Sequence, residues 1–360
     1  MIRAAIVGAT GIVGQQFIVA LHNHPWIEIT ALAASERSAG KVYKDSITDE
    51  KSRAFRWYCD ESPDAGILSQ PVQNAQDLDI SNVDLVFSAI ESDQARVLEP
   101  KFAALKPVIS TASAFRYDND VPILIPGINP AQSTLLKLQR KLRGWKGFIA
   151  PNPNCTTTGL AITLKPILDA FGLRLVIMTS MQAVSGAGRS PGVISLDITD
   201  NVIPFISGEE EKVQKETQKI LGSLAGGELQ PAKFKVSCTC TRVDVLEGHT
   251  ESVFISTEKA CQVQDIARIM HEFNPFKDSS LPSAPKKMIV VHTDPFRPQP
   301  RLDRNTDNGM ATTVGRIRRD DSLENGFKYV LVSHNTKMGA ARGCVLTAEH
   351  LIKEGYINSK

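Results

Sequence analysis

The sequence predicts an α/β protein, with a doubly wound parallel sheet in its N-terminal half and an α+β arrangement in the second. Three observations carry this. A buried-strand run at Ile2–Val7 leads straight into Gly8-Ala-Thr-Gly11-Ile-Val-Gly14 and then a helix face at Val13, Phe17, Ala20 and Leu21. Apolar runs at residues 28–35, 83–89 and 107–111 alternate with helix-compatible sequence, the rhythm of βαβ units. From Leu173 onward that rhythm gives way to longer strands with alternating apolar residues.

A chain of 360 residues suits two domains better than one. Its 42% hydrophobic and 22% charged residues describe an ordinary globular protein, and a formal net charge of +2 offers no electrostatic footing for nucleic acid or a membrane surface. No apolar run reaches bilayer length, and residues 2–7 are too few for a signal segment. Cys59, Cys155, Cys238, Cys240, Cys261 and Cys344 show neither CxxC nor Cys/His ligand spacing. No disulfide framework and no metal site is therefore expected, and the default location is cytoplasmic.

A strand, a glycine turn and a helix in that order form the start of a Rossmann-type domain. Glycines allow the tight turn and close backbone approach, and the helix N-terminus receives a pyrophosphate. The spacing is GxxGxxG rather than GxGxxG, which leaves a plain strand–helix turn as the alternative. After the second strand, Ser35-Glu36-Arg37-Ser38 stands where a ribose would be read. Glu36 would suit the diol of NAD. Two hydroxyls and the Arg37 guanidinium suit a 2′-phosphate, which favours NADP; a solvated loop is the plain alternative. Residues 43–70 read as a polar insertion. Arg116 follows the strand at 107–111, on the edge where open α/β sheets bind ligands, and is either an anion binder or a solvent-facing arginine. Residues 121–125 read as more sheet, and 133–143 as a basic amphipathic helix.

Ala150-Pro-Asn-Pro-Asn-Cys155-Thr-Thr-Thr-Gly159 sets a cysteine behind a proline-broken loop. Leu160, Leu164, Ile167, Leu168 and Phe171 then recur at helical spacing, which places Cys155 at a helix N-terminus with Thr156 to Thr158 as capping groups. The helix dipole and open N–H groups there favour a thiolate. The other reading is a buried structural thiol, and Pro166 implies a kink or a later helix start. Ser207-Gly-Glu-Glu210 reads as a capping box before a helix with Val213, Thr217, Ile220, Leu221 and Leu224 on its seam, which either puts Glu209 on the buried side or leaves this end projecting into solvent. Cys238, Cys240 and Arg242 share a strand face, so Arg242 needs an anionic partner. His249 reads as the tip of a hairpin, placed either for proton transfer or simply exposed. The closing helix carries Ala340, Ala341, Cys344, Val345, Ala348, Leu351 and Ile352 on one face and stops at Gly355.

Together the stretches GATGIVG, SERSAGK, NPNCTTT, QAVSGAG, SGEEEK, Arg242 with Gly248-His249, PQPRLDR and NTKMGAARG resemble the aspartate-β-semialdehyde dehydrogenases, in their archaeal and fungal branch. The resemblance covers almost the whole chain. It implies a dinucleotide-binding domain at residues 1–153 and 336–360, with the C-terminal helix returning to it. Residues 154–335 would form a catalytic and dimerisation domain. It implies reductive dephosphorylation of 4-phospho-L-aspartate by NADPH through a cysteine thioester, with no metal. Carried over by motif, Cys155 is the nucleophile, His249 the acid/base, and Asn154 and Gln182 position the acyl group. Arg242 and Glu209 would hold the substrate's carboxylate and amino group, and Lys212 and Arg116 the phosphate. Gly8, Thr10, Gly11, Ile12, Val13, Gly14, Ser35, Arg37, Ser38 and Ser88 would bind NADP(H), with Ser185, Gly186, Gly188, Asn335 and Gly339 at its nicotinamide end. Partners would be a small-molecule substrate, inorganic phosphate and further copies of the chain in a homodimer or homotetramer. Rival readings are a malonyl-CoA reductase, an N-acetyl-glutamyl-phosphate reductase, and a non-catalytic NADP-binding regulator.

Overall fold

The computed structural model describes residues 1–188 and 195–359. The chain divides into two compact units, one of residues 1–124, 133–152 and 340–360, the other of residues 125–132 and 153–339. In the first unit, β1 (Ile2–Val7), β2 (Ile27–Ala34), β3 (Val72–Asn74), β4 (Leu85–Ser88), β5 (Val108–Ser110) and β6 (Ile149–Pro151) form one sheet in the order β3-β2-β1-β4-β5-β6. Every neighbouring pair is parallel. The order reverses beside β1, so the carboxyl ends of β1 and β4 frame the crevice typical of nucleotide-binding sheets.

Both faces of this sheet are covered, as the near-continuous apolar strands require. Ile2, Ala4 and Ile6 of β1 pack with Phe17, Leu21 and Tyr43, and with Cys344, Val345 and Leu351 of the helix Arg342–Lys353. Ala5 and Val7 pack on the opposite side with Leu98, Phe102 and Phe115. The C-terminal helix thus returns to the first unit. There its buried Glu349 Oε1 lies 2.8 Å from His24 Nε2, while His24 Nδ1 accepts from the backbone N–H groups of Trp26 and Ile27. Without that pairing a carboxylate in the core would be strongly disfavoured.

Several local expectations change. Residues 43–70 are not a mere polar insertion. Tyr43 is fully buried and donates its hydroxyl to Ala9 O at 2.8 Å, and Gln15 of the first helix bonds Arg56 O and Tyr58 N. The segment therefore clasps the glycine turn. Residues 121–125 form no strand; they are buried chain outside the sheet. The segment that follows, residues 125–132, clusters with the second unit because Gln132 Nε2 donates to the carbonyls of Lys219, Ile220 and Gly222.

The second unit is built on β7 (Leu175–Gln182), β8 (Val202–Ile203), β9 (Ser223–Ala225), β10 (Glu228–Gln230), β11 (Lys235–Val243), β12 (His249–Ser256), β13 (Ile289–Val291), β14 (Thr312–Asp320) and β15 (Gly326–Ser333). Seven of them form a mixed sheet, β13-β14-β15-β12-β7-β11-β8, and β9 and β10 pair separately. Inward residues alternate: Val176, Met178 and Ser180 are buried on β7, while Ile177 and Thr179 are exposed. The helices Cys155–Phe171, Glu209–Ile220 and Val263–Glu272 pack along the sheet.

Here too the expected elements shift. β11 and β12 are not a hairpin, because β7 lies between them; it pairs parallel with β11 and antiparallel with β12. His249 is accordingly the first residue of a central strand and fully buried. The helix expected past Leu221 ends at Ile220, and Leu224 belongs to β9. Its start has no capping box: Gly208 occupies the cap position with φ +66° and no side-chain bond. A left-handed residue there favours glycine, so the cap position is held by a residue with no side chain to bond the helix.

Candidate active site

The nucleophile candidate stands where the local sequence places it. The helix Cys155–Phe171 begins at Cys155 and runs through Pro166 without ending. Its cap, however, is Asn154 rather than the threonines: Asn154 Oδ1 accepts from Thr156 N at 2.9 Å and Thr157 N at 3.2 Å. The prolines keep Ala150 and Asn152 out of the helical region, and Asn154, with ψ 142°, has the non-helical backbone a cap needs.

Asn154 also joins the helix to a buried acidic pair. Its Nδ2 donates to Glu209 Oε1 at 2.8 Å, and its backbone N–H donates to Glu216 Oε2 at 2.7 Å. Gln182 Nε2 donates to the same Glu209 oxygen at 3.1 Å and to Ser180 Oγ at 3.2 Å. Both amides therefore turn toward Glu209 and hold its carboxylate. Lys212 Nζ lies 4.0 Å from Glu209 Oε2. Glu216 escaped the sequence reading, although Glu209, Val213, Glu216 and Ile220 follow one another at helical spacing and are all buried.

Cys155 Sγ lies 3.1 Å from His249 Nε2, and the backbone N–H of Ala183 donates to His249 Nδ1 at 3.1 Å. Burial lowers the His249 pKa to about 3, and the nearby charges of Arg242 and His334 act in the same direction. The ring is therefore neutral. Arg242 is buried and donates through Nη1 to Ala183 O at 2.8 Å. Burial pulls its pKa below the ordinary value, while Cys155, Glu209 and Cys240 act to raise it. Glu209 is thus an anionic partner of the kind a buried arginine needs. Cys240, on the same strand, is pushed up to about 12 by burial and stays a thiol. The half-buried Cys155 is the cysteine with a histidine at hydrogen-bond distance.

The segments expected at a nicotinamide also gather in this unit. Asn335 Nδ2 donates to Ser185 Oγ at 2.7 Å, and its Oδ1 accepts from Gly248 N at 2.9 Å. A Cβ at Gly339 would fall 2.9 Å from Cys155 Cβ, and one at Gly186 would fall 3.0 Å from both Arg242 Nη1 and His249 Cε1. At both positions a side chain would crowd Cys155, or Arg242 and His249. Gly188 has φ +65° at the end of the same turn.

In the first unit the glycine turn has no room for a side chain at its first and last glycines, Gly8 and Gly14. A Cβ at Gly14 would fall 2.2 Å from Gly8 O, and one at Gly8 2.4 Å from Ala89 O. The helix Ile12–Leu21 is capped by Gly11 with no side-chain bond, which fits a helix end that receives an anion. Thr10 belongs to this turn, Ile12 and Val13 open the helix, and Ser88 ends β4. Ser35 and Arg37 are exposed and Ser38 is buried in the turn after β2. Arg116 is buried and donates to Thr111 O at 2.7 Å. Among the described residues no cluster of His, Cys, Asp and Glu could hold a metal ion. No described helix is long and apolar enough to cross a membrane.

The first unit thus holds a nucleotide-type parallel sheet, and the second a cysteine–histidine pair beside a mixed sheet. The model of the semialdehyde dehydrogenase NAD-binding domain matches residues 3–135, and that of the dimerisation domain residues 164–338. Aspartate-semialdehyde dehydrogenase of Methanothermobacter thermautotrophicus is 46% identical over 98% of this chain and 99% of its own. That of Candida albicans is 41% identical over 99% of each. A solved structure of the Candida albicans enzyme with NADP superposes with a TM-score of 0.88 at 38% identity, covering 99% of this chain and 100% of that one. The chain belongs to the aspartate-semialdehyde dehydrogenase family.

Proposed function

We propose that the chain reduces 4-phospho-L-aspartate to L-aspartate 4-semialdehyde and phosphate with NADPH, reversibly, as a step toward the aspartate-derived amino acids. The observation that carries this is Cys155 Sγ 3.1 Å from His249 Nε2, at the start of a helix whose cap also fixes Glu209. A soft nucleophile, a buried cation and a buried carboxylate then meet in one place.

Cys155 attacks the acyl carbon, and the bond from that carbon to the phosphate oxygen breaks. Lys212 and Arg116 hold the departing phosphate, which takes up the one proton consumed overall. Arg242 binds the α-carboxylate by its planar fork, and Glu209, steadied by Asn154 and Gln182, faces the ammonium group. NADPH, when bound, supplies the hydride that reduces the thioester carbon. The thiohemiacetal oxygen then re-forms a carbonyl, the C–S bond breaks, and Cys155 is released. His249 Nε2 stands at the sulfur throughout.

Residues 1–153 and 336–360 act as the NADP-binding domain, with Ser35, Arg37 and Ser38 reading the 2′-phosphate. Residues 154–335 act as the catalytic and dimerisation domain. The protein works as a cytoplasmic homo-oligomer whose copies meet on the outward face of the mixed sheet, around Ile177 and Thr179. One assay tests the reaction: phosphate-dependent NADP reduction with aspartate semialdehyde, beside malonate semialdehyde plus coenzyme A. Faster turnover of the second pair would overturn the aspartyl assignment.

A further inference from the structure

We propose that Tyr43 is a positioning residue for the dinucleotide: its hydroxyl holds the Ala9–Thr10 peptide so that the glycine turn offers the cofactor's pyrophosphate an N–H and not a carbonyl. This rests on the Gly8–Gly14 turn being the one that receives the pyrophosphate. Tyr43 opens the four-residue helix Tyr43–Ser46 and is fully buried. Its hydroxyl donates to Ala9 O at 2.8 Å. Burial raises its pKa, and the neighbouring Cys59 acts in the same direction, so the hydroxyl keeps its proton and stays a donor. The Ala9 N–H is also engaged, with Ala33 O at 3.0 Å.

In a trans peptide the C=O and the N–H that follows it point opposite ways. With Ala9 O turned to Tyr43, the Thr10 N–H is aimed to the other side, where it has no partner among the described residues. Thr10 is half-buried there, and the next open N–H groups, those of Ile12 and Val13, begin the helix. A peptide flipped between Ala9 and Thr10 would turn a carbonyl dipole toward the anion and withdraw a donor from it at once.

The hydroxyl is itself held in place. Tyr43 N–H donates to Gln70 O at 2.8 Å, and Ser46 Oγ donates to Ser38 O at 3.0 Å in the turn after β2. Gln15 fastens the far end of the segment: its Nε2 donates to Arg56 O at 2.8 Å, and its Oε1 accepts from Tyr58 N at 2.8 Å. The same Nε2 reaches Thr10 O at 3.4 Å, and Gly11 N–H donates to Gly8 O at 3.1 Å. The carbonyls of Gly8, Ala9 and Thr10 are thus each turned to a donor of the protein's own. Of these donors, the Tyr43 hydroxyl is the one supplied from outside the turn and its helix.

Tyr43→Phe removes the hydroxyl and keeps the ring. By titration calorimetry it should bind ADP-ribose about tenfold or more weakly, the scale of one buried acceptor left without its donor. Adenosine 2′-monophosphate, which has no pyrophosphate, should bind as before. In the assay, KM for NADP and for NAD should rise by the same factor, with little change in kcat at saturation. ADP-ribose bound within about threefold of the unsubstituted protein overturns the proposal, at the scale where no hydrogen bond has been lost. An equal loss for both fragments overturns it too, since Tyr43 would then support only the fold. A second measurement needs no Tyr43 variant. In the unsubstituted protein labelled with nitrogen-15 threonine, with Thr10→Ser identifying the resonance, the Thr10 amide should move downfield with ADP-ribose and stay put with adenosine 2′-monophosphate. A Thr10 amide that ADP-ribose leaves unmoved overturns the proposal. Gly14→Ala separates the two levels. Undiminished ADP-ribose binding in Gly14→Ala would defeat the reading of the turn as the pyrophosphate site, whereas weakened binding there beside an unaffected Tyr43→Phe defeats the Tyr43 role alone.

Discussion

At the scale of single residues, the site is a set of buried ionisable groups whose neighbours decide their charge. Glu209 has two amide donors and Lys212; Glu251, two residues beyond His249, is fully buried and neither carboxylate oxygen has a hydrogen-bond partner among the described residues. Burial raises the Glu251 pKa well above its ordinary value and so favours its protonated form in the fold. The sign follows from linkage. A raised native pKa gives stability that is complete below the unfolded value near 4.5 and is lost as pH rises toward the native value. Each pH unit in that window costs about 1.4 kcal/mol. Glu251→Gln has no such proton to lose, so its denaturation midpoint should overtake that of the unsubstituted protein as pH goes from 4.5 to 8. An unchanging difference across that range would mean that Glu251 is ionised in the fold. Arg37, exposed after β2, belongs to the cofactor proposal. Arg37→Ala should raise KM for NADP by about ten- to a hundredfold, through loss of a charge-assisted contact of roughly 1.5–3 kcal/mol, and spare NAD. An equal effect on both cofactors would instead make Glu36 the ribose reader.

At the scale of elements, two turns set the chemistry. The helix Cys155–Phe171 receives its orientation from Asn154, which caps it and ties it to Glu209 and Glu216 in one stroke. The Gly8–Gly14 turn depends on close backbone approach. Gly14→Ala would drive a Cβ to 2.2 Å from Gly8 O, whereas Gly11→Ala meets only that oxygen at 3.5 Å. Fluorescence titration with NADPH should therefore show a far larger loss of affinity for Gly14→Ala than for Gly11→Ala. Equal losses would mean that the turn is not shaped by this contact. Of the second-unit elements, the hairpin expected around His249 is the instructive miss. β11 and β12 are consecutive in sequence, yet the insertion of β7 between them is what buries His249 and brings Ala183 to its ring.

At the scale of the molecule, the mixed sheet leaves one set of alternating residues facing outward, with Ile177 on its interior strand β7 and Ser237 beside it on β11. The family's dimerisation domain spans this sheet. If copies pair there, a charge at Ile177 would be buried without a partner and would oppose association. Ile177→Lys should sediment as a monomer at concentrations where the unsubstituted protein is a dimer or larger. A mutant of undiminished mass would move the interface elsewhere.

The strand–glycine–helix start, the cysteine at a helix N-terminus and the alternating face of Cys238, Cys240 and Arg242 were legible in the sequence, because each rests on local periodicity or turn chemistry. So was the family, from motifs spread along the whole chain. Which nitrogen of His249 faces the sulfur was not legible, nor that Asn154 and Gln182 converge on Glu209, nor that Tyr43 anchors a polar-looking stretch. Those facts depend on strand order and on contacts between residues distant in the chain, such as Ala183 with His249 and Asn154 with Glu216. Local sequence determines which elements form and which faces they bury. The charge and proton position of a buried side chain depend on neighbours that only the folded chain assembles.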